Sequence, residues 1–343
     1  MNVDLRSDTV TQPTAEMREL IHSAALGDDM VGEDPSINEL EAYCAGLLGK
    51  EAAMYVVSGV MGNLTSLLTH TNRGEEIIFE AESHIYSAEA GGFAILGGLA
   101  AIPVKGHKGA MDIEEVKKAY KSGIDSHYMK TGLICMETTH NFSGGYALPL
   151  DHMRDVYNFA SSVKVPVHLD GARIFNAASF LGCDVKEITR YCDSLMVCFS
   201  KGLCAPVGSI IAGSKEFMEK AKRIRKILGG AMRQAGVLAA PALYAIKNMR
   251  DRLGEDRERA IKLAQGFRDL GFIVDADNIQ SNIVMLYTPP DWKIDAPRVV
   301  ELLATKGILC FDLAPNKVRF VTHYYITDEA VEYTLKAGRE LFG

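Results

Sequence analysis

The 343-residue sequence predicts an α/β protein, with a large domain around a mostly parallel central sheet and a smaller α/β domain at its C-terminal end. Three observations predict it. Apolar runs are continuous rather than alternating, as strands covered on both faces require. Helix-length connections separate these runs, the alternation that builds parallel sheets. Near residue 250 the composition turns from small-residue-rich to charge-rich, which sets the division at 1–245 and 246–343.

Ser36 with Glu39 three residues later reads as a capping box. Behind it Ile37, Leu40, Tyr43, Cys44, Leu47 and Leu48 form a helical stripe that Gly49 is placed to end. A strand over Ala53–Val57 follows, then the turn Ser58-Gly59 and a helix from about Met61 to Thr71. Further buried strands are expected at Glu76–Glu80, Gly132–Glu137, Val165–Leu169, Leu195–Phe199 and Gly208–Ala212. In the second domain a charged helix spans Arg252–Leu270. Shorter strands lie around Asn282–Tyr287, Leu309–Asp312 and Lys317–Thr322.

With 48% hydrophobic residues the chain can bury a sizeable core. A net charge of −7 and the lack of a basic block argue against nucleic acid or an anionic membrane as partner. The first residues lack the apolar core of a signal peptide. The longest weakly polar stretch, Gly91–Val104, is glycine-rich and too short to span a bilayer. The seven cysteines sit mostly in apolar runs, as Cys44, Cys135, Cys198 and Cys310 do, and no C-x-x-C occurs. That pattern predicts reduced core thiols in a cytoplasmic protein. No H-E-x-x-H and no tight Cys/His cluster occurs, so no metal site is expected.

The segment from Val163 to Leu203 carries the chemistry. One apolar strand ends Val-His-Leu-Asp170-Gly-Ala-Arg173, and a second ends Val-Cys-Phe-Ser200-Lys201-Gly-Leu. Pyridoxal phosphate (PLP) needs such a pair: a lysine to hold its aldehyde as a Schiff base, and a carboxylate to keep its ring nitrogen protonated. Parallel strands joined by a crossover bring both side chains to the carboxyl edge, where ligands of open sheets bind. His168 shares a strand face with Asp170 and reads as an orienting neighbour or as a packed core histidine. The turn Tyr55-Val-Val-Ser-Gly59-Val60-Met-Gly62-Asn63 offers helix-start amides to a phosphate, or is simply a tight turn. The basic run from Arg223 through Lys226 to Arg233, around Gly229-Gly230, suits a phosphate too, or is a solvated helix face.

Seven motifs in order resemble the L-threonine aldolase family of low-specificity type. They are Leu5-Arg-Ser-Asp-Thr-Val-Thr, Gly27-Asp-Asp with Gly32-Glu-Asp-Pro, Thr138-Thr-His140-Asn, Leu169-Asp-Gly-Ala-Arg-Ile-Phe-Asn-Ala, Phe199-Ser-Lys-Gly-Leu-Cys-Ala-Pro-Val-Gly-Ser, Gly229-Gly-Ala-Met-Arg-Gln-Ala-Gly and Arg319-Phe-Val-Thr-His. The resemblance covers nearly the whole chain and implies the aminotransferase-like PLP fold type I. It implies Lys201 as the Schiff-base lysine, Asp170 as the partner of the ring nitrogen, His84 stacked on the ring, and Gly59 with Val60 cradling the phosphate. Arg233 and Lys226 would reach that phosphate from a neighbouring subunit of a dimer or a dimer of dimers. Ser7, Arg173 and Arg319 would hold the substrate carboxylate, with Arg173 also beside the cofactor, and His140 would stand near the substrate's β-hydroxyl.

Two departures stand out: Val60 and Thr138 occupy positions where the family commonly has threonine and asparagine. The expected reaction is cleavage of a β-hydroxy-α-amino acid, L-threonine or L-allo-threonine, to glycine and an aldehyde. The base would be His84 itself or a water held by His84 and His140. A β-eliminating lyase or an amino-acid racemase of the same fold is the alternative. A PLP-binding protein without turnover and a nicotinamide dehydrogenase fit less well, the latter because no G-x-G-x-x-G follows the first strand.

Overall fold

A computed structural model describes all 343 residues. Seven strands form the central sheet: β1 (Ala52–Val56), β2 (Glu76–Glu80), β3 (Ala100–Val104), β4 (Thr131–Glu137), β5 (Val167–Asp170), β6 (Ser194–Cys198) and β7 (Ser209–Gly213). Their spatial order is β1-β7-β6-β5-β4-β2-β3. β2 through β6 run parallel to one another, whereas β7 is antiparallel to both β6 and β1. Every residue of β2, β4, β5, β6 and β7 is buried, as the continuous apolar runs require. The two faces feed separate cores. Ala53 and Tyr55 pack into the large one, while Met54 and Val56 pack with Met196, Ile211 and Phe217 on the other side.

Helix starts are set by capping side chains. Over Pro35–Leu47 the cap is Asp34, whose carboxylate accepts from the Ser36 and Ile37 amides, with Pro35 in the first turn. The expected Ser36–Glu39 box is therefore corrected: proline suits the first helical position, and the aspartate before it takes the free amides. Ser36 Oγ instead donates to the Ala25 carbonyl, 2.8 Å away. The helix after β1 runs Gly59–His70, with Ser58 Oγ accepting from the Met61 amide at 3.1 Å.

The C-terminal part has its own sheet, Ile283–Tyr287 (β8), Phe311–Ala314 (β9) and Lys317–Val321 (β10), all antiparallel. A separate core of 23 buried residues lies there. Val3 and Leu5 belong to that core, because Val3–Asp4 pairs parallel with Ile308–Leu309. We propose that the two domains divide at 245/246. The switch from one core to the other between Leu253 and Ala260, inside the helix Leu253–Asp269, supports it. All seven cysteines are free, and no helix is long and apolar enough to cross a membrane.

Candidate active site

The carboxyl ends of β1, β4, β5 and β6 meet at a cleft of about 250 Å³. Asp170, the last residue of β5, is buried. Its Oδ2 accepts from Asn63 Nδ2 at 2.9 Å and its Oδ1 from the Ala172 amide at 3.1 Å. Lys201, three residues past β6, lines the same cleft, as do Ser200, Ser58, Gly59 and Val60. The first-turn amides of Gly59 and Val60 have no acceptor within their own helix and suit an anion. A Cβ on Gly59 would come within 2.9 Å of Cys198 Sγ, so only glycine lets this helix start lie so close to β6.

His84 lines the cleft beside Asp170, and two acids fix it. Its Nδ1 lies 2.8 Å from Glu89 Oε1, and its amide donates to Glu137 Oε2 at 2.6 Å. Its ring stacks on Phe142 with centroids 6.5 Å apart. The Glu89 hydrogen bond, with Asp170 and Glu137 nearby, raises the imidazole pKa above its ordinary value although burial opposes it. Burial in turn pushes the Glu89 and Glu137 carboxyls up.

The same cleft is lined by Ser7, Arg173 and Arg319. Arg173 is already paired: Asp8 accepts from its Nε and Nη2 at 2.7 Å each, in a bidentate contact buried on both sides. Burial pushes the Asp8 carboxyl up, but Arg173, with Lys201 and Asn282, holds it well below its usual value. The remaining nitrogen of Arg173, Nη1, lies 3.5 Å from Asn141 Oδ1. Arg319 makes no carboxylate contact. Its Nη2 donates only to the Arg6 carbonyl at 3.3 Å, and its buried Nε finds no acceptor. A permanent cation left so poorly paired is suited to an incoming carboxylate.

Three expected residues do not reach this cleft. His140 is fully buried behind β2, its Nε2 3.0 Å from Glu80 Oε2, while its neighbours Thr139 and Asn141 line the cleft instead. A water shared by His84 and His140 is therefore not what this arrangement offers. Lys226 is exposed, and Arg233, also exposed, pairs with Asp28 at 2.9 Å. Thr138 is buried, and its hydroxyl accepts from the Leu148 amide at 3.0 Å, so that departure serves a loop rather than the cleft.

Asp8, Asn63, Glu89 and Glu137 were not singled out from the sequence. Glu137 could have been, since it ends β4 opposite Asp170 on the same sheet edge. Asp8 gave no such signal, because its partner lies 165 positions away. The lysine, the buried carboxylate, the glycine-bounded helix start and the imidazole between two acids together fit PLP.

The beta-eliminating lyase family model matches residues 4–289. A probable low-specificity L-threonine aldolase 2 of Arabidopsis thaliana is 42% identical over 99% of this chain and 97% of its own length. The low specificity L-threonine aldolase of Escherichia coli (strain K12) is 40% identical over 95% of each. Among solved structures, a Leishmania major threonine aldolase superposes with a TM-score of 0.86 at 16% identity, covering 99% of this chain and 100% of that one. SPT with PLP superposes at 0.76 and 18% identity, over 99% and 88%. At such identities the structures establish the fold, the aminotransferase-like PLP fold type I. Near-complete coverage at 42% identity and the family match establish the rest: the chain belongs to the beta-eliminating lyase family, in its low-specificity L-threonine aldolase branch, and is a PLP-dependent lyase.

Proposed function

We propose that the protein cleaves L-threonine and L-allo-threonine, and other β-hydroxy-α-amino acids, to glycine and an aldehyde. The observation that carries this reading is the distribution of charge along one cleft. An arginine without a carboxylate partner lines it together with Lys201, Asp170 and an acid-held His84. When bound, PLP supplies an aldehyde for the amino group and a ring that takes up the electron pair left on Cα. Lys201 would hold that aldehyde through its amine. Asp170, its own oxygens held by Asn63 and the Ala172 amide, would keep the ring nitrogen protonated. Gly59 and Val60 offer backbone amides to the phosphate.

Arg319, with Ser7 and the Nη1 of Arg173 that Asp8 leaves uncommitted, would grip the α-carboxylate and so fix the orientation of the substrate. His84 takes the β-hydroxyl proton through Nε2, since Glu89 occupies Nδ1. Incubating the purified protein with threonine isomers tests the reading. Glycine and acetaldehyde in equal amounts are expected; 2-oxobutanoate with ammonia, or the D-isomer, would mean elimination or racemisation instead.

The active site is shared between copies of the chain in a dimer, or a dimer of dimers. Arg233 and Lys226 complete a partner's phosphate site, a reading supported by their exposure away from their own cleft. Ile227, next to Lys226 in sequence, and Val31, three residues past the Arg233 partner Asp28, are 69% and 67% exposed. The free buried thiols support a cytoplasmic location.

A further inference from the structure

Behind Asp170 a line of polar side chains crosses an otherwise apolar layer. His70 Nε2 lies 2.7 Å from Ser194 Oγ, Ser194 Oγ lies 2.9 Å from His168 Nδ1, and His168 Nε2 lies 3.1 Å from Asn63 Oδ1. Asn63 Nδ2 then donates twice, to Asp170 Oδ2 at 2.9 Å and to Glu89 Oε1 at 2.8 Å, and Glu89 holds His84. The fold makes the line. His168 and Asp170 share one face of β5, and Ser194 on β6 is the register partner of His168. Asn63 and His70 stand two turns apart on one side of the helix Gly59–His70.

The donors can be assigned by elimination. Two carboxylates face the Asn63 nitrogen, so its oxygen must face His168, and an amide oxygen only accepts. His168 Nε2 must therefore carry hydrogen. Burial holds this histidine neutral, its pKa down at about 3, so its Nδ1 accepts from the Ser194 hydroxyl. Ser194 Oγ can in turn accept from His70, which burial also keeps neutral at ordinary pH, at about 4.

We infer that His168 is a positioning residue whose Nε2–H tautomer locks the Asn63 amide, so that one side chain aims both Asp170 and the Glu89–His84 pair. If Asn63 turned over, its oxygen would face two acids. Asp170 and Glu89 would lose their shared donor together, and the two ends of the chemistry would slip at once. A histidine that merely filled the core would be replaceable by an apolar residue at little cost to the cleft, since removing a polar partner matters only where another group depends on it. The inference rests on the roles proposed above for Asp170 and His84.

The test uses the full chain in its apo form and with PLP added. Long-range proton–nitrogen NMR of histidine-labelled apoprotein is expected to show His168 neutral, with hydrogen on Nε2. An Nδ1–H tautomer or an imidazolium overturns the inference. His168→Leu is expected to raise the PLP dissociation constant about tenfold or more, the equivalent of one hydrogen bond to a charged group. His168→Gln, whose amide can still donate to Asn63 Oδ1, should restore most of that affinity. The Leu effect should vanish in an Asn63→Ala background, because the two act in series. A folded His168→Leu protein that keeps wild-type PLP affinity and merely melts earlier would reduce the line to packing and overturn the inference. Should that variant not fold, Asn63→Ala decides: unchanged PLP affinity overturns it, and loss upholds it. If the tautomer and affinities behave as expected while threonine gives no glycine, the aldolase reading fails and this one stands.

Discussion

Arg173 and Arg319 look interchangeable in the sequence, and the structure separates them. Arg173 is committed to Asp8 in a buried bidentate pair, whereas Arg319 makes no carboxylate contact. Arg319→Ala should therefore leave stability nearly unchanged and lower kcat/KM by an amount equivalent to about 2–5 kcal/mol, with little recovery in Arg319→Lys because the planar fork is lost. Arg173→Ala strands the Asp8 carboxylate and should cost about 3–5 kcal/mol of folding stability as well as activity. Thermal melts alongside steady-state kinetics distinguish the two, and an Arg319→Ala enzyme with wild-type kcat/KM would remove Arg319 from the carboxylate site.

His84 carries a pH prediction. As a base it must be neutral, and Glu89 raises its pKa above the ordinary 6.5, so activity should fall as pH drops through that raised value. Glu89→Gln removes the charge that favours the imidazolium. The acid limb of kcat/KM should then move to lower pH, and an unmoved limb would show that another group sets it. That Lys201, Asp170 and Gly59 line one cleft was legible, because strand ends of a parallel sheet meet at its carboxyl edge. Asp8 and Glu89 were not, since their partners come from remote or irregular segments. His140 was misplaced because a motif fixes position along the chain but not which way a side chain turns.

At the scale of elements, boundaries followed the local chemistry. β2 falls on the expected Glu76–Glu80. β5 starts at Val167 rather than Val165, because Pro166 has no amide to give a neighbouring strand. The antiparallel course of β7 has no signature in an apolar run, which reads the same in either direction. The helix after β1 starts at Gly59, two residues earlier than expected, because glycine reads as turn when packing is unknown. Packing settles it: a Cβ at Gly59 would meet Cys198 Sγ at 2.9 Å, and one at Gly62 would meet Met196 Cγ at 2.7 Å. Gly59→Ala should push the helix start away from β6 and weaken PLP retention. Val60→Thr should act in the opposite sense. Val60 is 42% exposed at the cleft, and an added hydroxyl bonding the phosphate would contribute about 1.5–3 kcal/mol. Dissociation of PLP measured for both at matched pH and phosphate checks the pair. Looser binding by Val60→Thr would mean that a water or Ser200 already fills that place.

For the whole molecule, composition marked a second domain, and the structure gives that region its own core, joined by Val3 and Leu5 from the far end of the chain. No local pattern announces such an exchange, because the pairing of Val3–Asp4 with Ile308–Leu309 is non-local. Assembly is expected only from the resemblance, and the proposal of a shared site carries a test of its own. If Arg233 serves a partner's site, then Lys201→Ala and Arg233→Ala disable different halves of each site. In a mixed dimer one site receives both defects and the other receives neither. Random exchange between equal amounts of the two inactive or weakened chains should thus leave about a quarter of the sites intact. Activity at limiting PLP should rise after subunit exchange above the sum of the separate variants. If instead Arg233 only pairs with Asp28 on its own surface, as in the isolated chain, mixing should add nothing. Sedimentation of the wild-type protein makes the comparison decisive: a fully active monomer would rule out a shared site.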